Sequence, residues 1–167
     1  MATRYVCTLG EEVLRKKSKE VKKLDRKTLE ILDDLAETLR EKDGIGLAAP
    51  QVGILKRLAV IDAGDGLIEL INPIIIKREG SQLYLEGCLS YPGYYGEVER
   101  PEKLTVTTLN REGEFVEYEA DGLMAVAVCH EIDHLDGVMF VDKVRGELLT
   151  AEQVKEMREK EELDNRE

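Results

Sequence analysis

The chain contains two histidines, His130 and His134, standing four positions apart in the run His130-Glu131-Ile132-Asp133-His134. Side chains at i and i+4 leave the same face of an α-helix, so both imidazoles can reach one metal ion. Glu131, beside the first imidazole, is placed to take a proton from metal-activated water rather than to ligate. The preceding residues, Leu123 to Val128, are almost wholly apolar, which predicts a buried helix. Two imidazoles and a carboxylate in such a helix need partners, because unpaired buried polar groups are costly. A bound metal would supply them. Five residues of this pattern also arise by chance on amphipathic helices. The apolar flank and the lack of any stray histidine argue against chance here.

With no third histidine, a third ligand must be a thiolate or a carboxylate. In the long peptidase form of the motif a further histidine stands six residues past the second, and Phe140 occupies that position. Glu152 and Glu156 lie where a glutamate-ligated metallopeptidase would place its third ligand, but in a heavily charged segment that reads as solvated surface. Cys88 is the better candidate. It lies in Glu86-Gly87-Cys88-Leu89-Ser90, between strand-like residues and Pro92-Gly93, where a tight loop could aim sulfur at the helix. Cys7 has no clustered polar partner, and Cys129 is turned about 100° round the helix from His130. Both read as core.

A third segment is Gly44-Ile45-Gly46-Leu47-Ala48-Ala49-Pro50-Gln51-Val52-Gly53. Glycines allow close backbone approach to a ligand, and Gln51 offers an amide donor. Dinucleotide binding would need a strand before the glycines and a helix after them; neither is predicted, so that reading fails.

The elements that must position these groups make an α+β domain with mostly antiparallel sheets packed around one buried, metal-ligating helix. A first helix is predicted over about Lys27 to Lys42, from the helical spacing of Leu32, Leu35, Ala36 and Leu39, with Asp25 as its cap. Strand-like runs follow at Leu58–Ile61, Leu67–Ile71, Ile74–Ile76 and Leu104–Leu109, and a hairpin loop at Asn110–Gly113 leads into Phe115–Tyr118. The ligating helix is predicted from Gly122 to Leu135, closed by Asp136-Gly137. One domain is expected over 1–167, with about 147–167 a charged, partly exposed C-terminal helix. Arg100 is expected to support the ligating helix by pairing with Asp133 or Glu86.

The net charge is −11, from 35 acidic and 24 basic residues, which argues against DNA binding. No apolar run approaches a membrane span and no secretory signal is visible, so the expected address is the cytosol, without membrane attachment. Three widely spaced cysteines in that setting do not suggest a disulfide framework. The basic run from Arg15 to Lys27 reads as solvated surface, with contact to ribosomal RNA as the sharper alternative.

Taken together, Gly44 to Gln51, Glu86 to Ser90 and His130 to His134, in that order, resemble peptide deformylase, whose motifs have the form G-φ-G-L-A-A-x-Q, E-G-C-L-S and H-E-x-x-H. The likeness extends from Val13-Leu14-Arg15 to about Lys143. It implies an enzyme that hydrolyses the formyl group from the initiator formyl-methionine of nascent proteins and releases formate. Its substrates would be N-formylmethionyl peptides, with a transient ribosome contact compatible with that work. The resemblance implies Cys88, His130 and His134 as ligands of one divalent metal, Fe²⁺ in the cell, with Zn²⁺, Ni²⁺ or Co²⁺ able to occupy the site in purified protein. It implies Glu131 as general base, and the Gln51 amide and Leu89 backbone N–H as donors to the developing oxyanion. Substrate backbone would run along Ile45 and Gly46, with the methionine side chain in a pocket formed by Leu123, Val126, Ala127 and His130. Departures from the pattern are Gly10-Glu11-Glu12 before Val13, Cys129 in place of a usual glutamine, and Tyr91 after Ser90. The rival readings are a small HExxH metallopeptidase with a carboxylate third ligand and a metal-stabilised binding domain.

Overall fold

Leu32, Leu35, Ala36 and Leu39 form the buried stripe of helix α1, Arg26–Lys42. Asp25 caps it, accepting the Thr28 N–H at 2.9 Å, and Asp43 ends it in the left-handed region at φ 54°. The computed structural model describes residues 2–166; Met1 and Glu167, the ends of the expected domain, lie outside the described residues.

Five strands form one antiparallel sheet in the order β1-β2-β3-β6-β7: β1 Gly46–Ala48, β2 Leu58–Asp62, β3 Leu67–Glu79, β6 Lys103–Leu109 and β7 Phe115–Asp121. Three more, β4 Gln82–Cys88, β5 Tyr91–Arg100 and β8 Val144–Thr150, form a second antiparallel sheet in the order β4-β5-β8. Strand β2 explains the layering. Leu58 and Val60 face a core shared with α1, while Ala59 and Ile61 face a second core shared with helix α2, Gly122–Leu135. A strand buried on both faces reads as an unbroken apolar run rather than an alternation. The architecture is thus α+β, with antiparallel sheets around α2 and further helices at either end of the chain.

The runs at 67–71 and 74–76, separate in the sequence, belong to the single strand β3. The break between them is a bulge: the register with β6 shifts between Ile71 and Ile74, and Asn72 adopts φ 51°. Pro73 has no N–H for a ladder bond, and the Asn72 side chain instead exchanges hydrogen bonds with the Val21 backbone, 2.8 Å each way. The second sheet was much less visible in sequence, because β4, β5 and β8 each contain glycine and glutamate and none reads as an apolar run. Residues 147–150 belong to β8, and helix α3 covers Ala151–Asn165, anchored by buried Val154 and otherwise exposed. No helix is long and apolar enough to cross a membrane.

Helix α2 is apolar round most of its circumference, as a buried helix must be. It ends at Gly137, whose φ of 75° is the left-handed conformation that favours glycine. A Cβ there would lie 2.6 Å from the Arg15 carbonyl oxygen. Gly137→Ala is therefore expected to cost about 2 kcal/mol in backbone strain and clash, read as a fall in the denaturant midpoint. An unchanged midpoint would show that this turn is not under the stated constraint.

Candidate metal centre

Strand alternation puts Glu86 and Cys88 on the same face of β4, two residues apart and towards α2. Beyond Cys88 the chain turns through Leu89 and Ser90 into β5, with Cys88 paired to Tyr91. Glu86 pairs with Gly96, so Pro92 to Tyr95 bulge out opposite Gly87. Such bulges commonly re-aim side chains near functional sites.

The Cys88 Sγ lies 3.3 Å from His134 Nε2, and His134 Nε2 lies 3.2 Å from His130 Nε2. All three ligand atoms fall within 4.8 Å of one another. His130 Nδ1 is 2.7 Å from Glu86 Oε1. An ionised carboxylate can only accept, so Nδ1 carries the proton and Nε2 of the neutral ring turns its lone pair towards Cys88 and His134. Acceptor atoms this close repel unless a proton or a cation lies among them. The set of two imidazoles and a thiolate suits Zn²⁺, Fe²⁺, Ni²⁺ or Co²⁺. Glu131 Oε1 is buried without a partner among the described residues, as expected where a ligand completes the polar network; His134 Nδ1, the ring nitrogen that does not face Cys88, is likewise unpartnered. The residues present fit a metal.

The electrostatics are set one layer out. Burial by itself would raise the Glu86 carboxyl, but hydrogen bonds from Arg100 and His130 outweigh it and hold it below its ordinary value. Arg100 is buried and makes three contacts: Nε to Glu86 at 2.7 Å, Nη2 to Glu86 at 2.9 Å, and Nη1 to Asp133 at 2.7 Å. The two partners anticipated from sequence are thus held together. Burial opposes protonation of His130, yet Glu131, Cys88 and Glu86 prevail and raise its pKa well above the ordinary value; a metal on Nε2 would take the place of that proton. Burial, then neighbouring His130, depresses His134 well below its ordinary value. Burial pushes the Glu131 carboxyl up to about 7, against the pull of His130 and Arg100. A group poised there suits proton exchange near neutrality.

Gln51 is locked at both ends. Its Oε1 accepts the Ala48 N–H at 2.9 Å, and its Nε2 donates to Ser90 Oγ at 3.0 Å and lies 3.6 Å from Cys88 Sγ. Leu89 follows the sulfur in the β4–β5 turn, half-buried against the α1 core. A cleft of about 740 Å³ opens over these groups and is lined by Ile45, Gly46, Leu123, Val126 and Ala127 among others. It runs between two unpaired sheet edges, β1 of the larger sheet and β4 of the smaller. A Cβ on Gly46 would lie 2.5 Å from Glu131 Oε2, so glycine here lets backbone and carboxylate meet.

Glu152 and Glu156 remain exposed on α3, outside the ligand cluster. Phe140 instead stacks on His130, ring centroids 6.1 Å apart. Cys129 is buried in the sheet-facing core of α2 and Cys7 in a separate apolar cluster. Sequence reading missed the Glu86–His130 bond, although the two-residue offset from Cys88 on a strand was the available signal. Five of the six tyrosines in the chain line the cleft: Tyr91, noted in sequence as a departure from the family pattern, and Tyr5, Tyr84, Tyr94 and Tyr95, which sequence reading missed. Their spacing follows no motif.

The polypeptide deformylase family model matches residues 3–148. A peptide deformylase of Acetivibrio thermocellus is 58% identical over 144 residues, covering 86% of this chain and 85% of that protein. The crystal structure of peptide deformylase from Thermotoga maritima superposes with a TM-score of 0.85 at 39% identity, covering 87% of this chain and all of the other. That of a peptide deformylase from Synechococcus elongatus, in complex with actinonin, gives a TM-score of 0.82 at 44% identity, covering 84% and 78%.

Arg100→Ala should leave Glu86 and Asp133 without their shared cation, at a cost of about 3 kcal/mol. Metal affinity should fall about ten-fold or more, measured by chelator competition. Wild-type affinity in the variant would mean that Arg100 does not support the ligands. Gly46→Ala should displace the Glu131 carboxylate while sparing the ligands, lowering kcat by about ten-fold or more at unchanged metal content.

Proposed function

The chain belongs to the peptide deformylase family, and from that premise we propose how its own residues carry out the family's reaction, hydrolysis of the N-formyl group from the initiator formyl-methionine of nascent proteins. The observation that carries the reading is the meeting of Cys88, His130 and His134 beside the Glu131 carboxylate, at the floor of a cleft bounded by two free strand edges. This is a metal-dependent hydrolase. We assign Cys88, His130 and His134 as its metal ligands, with Fe²⁺ as the metal in the cell and Zn²⁺, Ni²⁺ or Co²⁺ as occupants after purification. When bound, a divalent metal polarises a carbonyl and lowers the pKa of a coordinated water to about 7.

The protein's part follows from its geometry. Strand β1 has an open edge that begins at Gly46, just after Ile45, suited to pairing with an extended peptide. Leu123, Val126 and Ala127, on the wall of the cleft, take the methionine side chain. As the water oxygen bonds to the formyl carbon, Glu131 receives its proton. Charge then gathers on the former carbonyl oxygen, where the Gln51 Nε2 and the Leu89 N–H donate. Each donor is worth roughly 3 kcal/mol at the transition state. Gln51 is suited to this because its other contacts already hold its amide in place. The C–N bond breaks, Glu131 returns the proton to the amine nitrogen, and formate leaves beside a free methionyl terminus.

Such substrates put the reaction in the cytoplasm, where nascent chains emerge. The lysines and arginines between Arg15 and Lys27 are exposed, which leaves them available for a transient ribosome contact.

The test is formate release from a formyl-Met-Ala-Ser peptide by protein purified anaerobically with Fe²⁺. Cys88→Ala should lose both metal and activity. Glu131→Ala should keep its metal and lose a factor on the order of 10²–10⁴ in rate. Undiminished turnover in Glu131→Ala would overturn the assignment of the base.

A further inference from the structure

Two cations line the cleft without an ion-pair partner among the described residues. Lys42 belongs to the end of α1, which packs on the larger sheet, and Arg158 belongs to α3, which packs on β5 and β8 of the smaller one. The two walls of the cleft therefore contribute one each. Among the described residues neither side chain takes part in an ion pair, whereas the arginines at 4, 15, 57, 100 and 111 are all paired. The carboxylates lining the same cleft are Asp43, Glu86 and Glu131. Glu86 is held by Arg100 and His130, and Glu131 is buried at the floor. Asp43 follows Lys42 directly in the chain, which leaves Arg158 as the lining cation with no lining carboxylate adjacent to it in sequence. The acidic residues one turn further along α3, Glu161 and Glu162, do not line the cleft. Arg158 also lies beyond residue 148, where the family match ends.

The setting gives this arrangement weight. A chain of net charge −11 repels acidic peptides at long range, and a cation outside any ion pair at the cleft opposes that repulsion locally. A carboxylate approaching it finds a guanidinium whose forked donors are uncommitted.

We propose that Arg158, assisted by Lys42, forms a cationic rim that favours formyl-methionyl chains with acidic side chains among the residues after methionine. The proposal rests on the deformylase reading and adds a selectivity to it. A partly exposed ion pair supports a preference of about three- to five-fold, weakening as salt shortens the screening length.

The test compares formyl-Met-Ala-Glu-Glu amide with formyl-Met-Ala-Lys-Lys amide by kcat/KM, taking the ratio within each variant so that a general loss of activity cancels. The wild-type ratio should favour glutamate through KM, fall with added salt, persist in Arg158→Lys, and invert in Arg158→Glu. Lys42→Ala should reduce it less. Affinity of Glu131→Ala protein for the same peptides, measured by calorimetry, reads the rim without turnover. Tighter binding of the acidic peptide with no formate release by wild-type protein would sink the deformylase reading and leave the rim intact. Equal affinities, or a ratio indifferent to Arg158→Glu, would overturn the rim.

Discussion

Glu86 lies between a guanidinium and an imidazole, and most of the site's geometry depends on that placement. Its two oxygens accept two hydrogen bonds from Arg100 and one from His130. The first pair keeps the carboxylate ionised despite its burial. The ionised carboxylate in turn sets the tautomer of His130, and the tautomer decides which nitrogen faces Cys88 and His134. Arg100 reaches on to Asp133 on α2. One guanidinium thus ties the strand that carries Cys88 to the helix that carries His130 and His134. The costs of burying three charged groups are offset only because each is bonded to the next.

The same economy of space governs the cleft. Two sheets approach α2, and neither closes against the other, so β1 and β4 keep open edges where the polar floor is exposed. Glycine at 46 lets the backbone come up to the Glu131 carboxylate, and glycine at 87 accommodates the Tyr95 ring, which a Cβ would meet at 2.7 Å. Residues without side chains are used where backbone must meet chemistry. Tyrosines occupy the bulge in β5 and the opposite rim, with Tyr91 and Tyr94 in contact at 4.8 Å between ring centroids.

Several features were legible in the sequence for definite physical reasons. Helical periodicity and a capping aspartate located α1, and an uninterrupted apolar run located α2, because burial and caps act over a few neighbouring residues. The i, i+4 histidines were readable for the same reason: a helix turns sequence spacing directly into geometry. The three motif segments identified the family. The bulge at Asn72-Pro73 misled the strand reading, since it interrupts the pattern without ending the strand. The second sheet escaped because strands broken by glycine and charged residues resemble loops.

By itself, then, the sequence determined which side chains could bind a metal and move a proton, and which helix carried them. Cys88 was named as a candidate, but what brings its sulfur within 3.3 Å of His134 is the packing of β4 against α2, a contact spanning 46 positions in the chain. The same holds for Glu86 with His130 and for Arg111, which joins Asp33 to Glu69. Pairings of this kind depend on register and layer packing, which are properties of the whole chain and not of any local window. Arg158 shows the limit most clearly. In sequence it is one charge in a charged tail; only the packing of α3 on the smaller sheet brings it to the cleft.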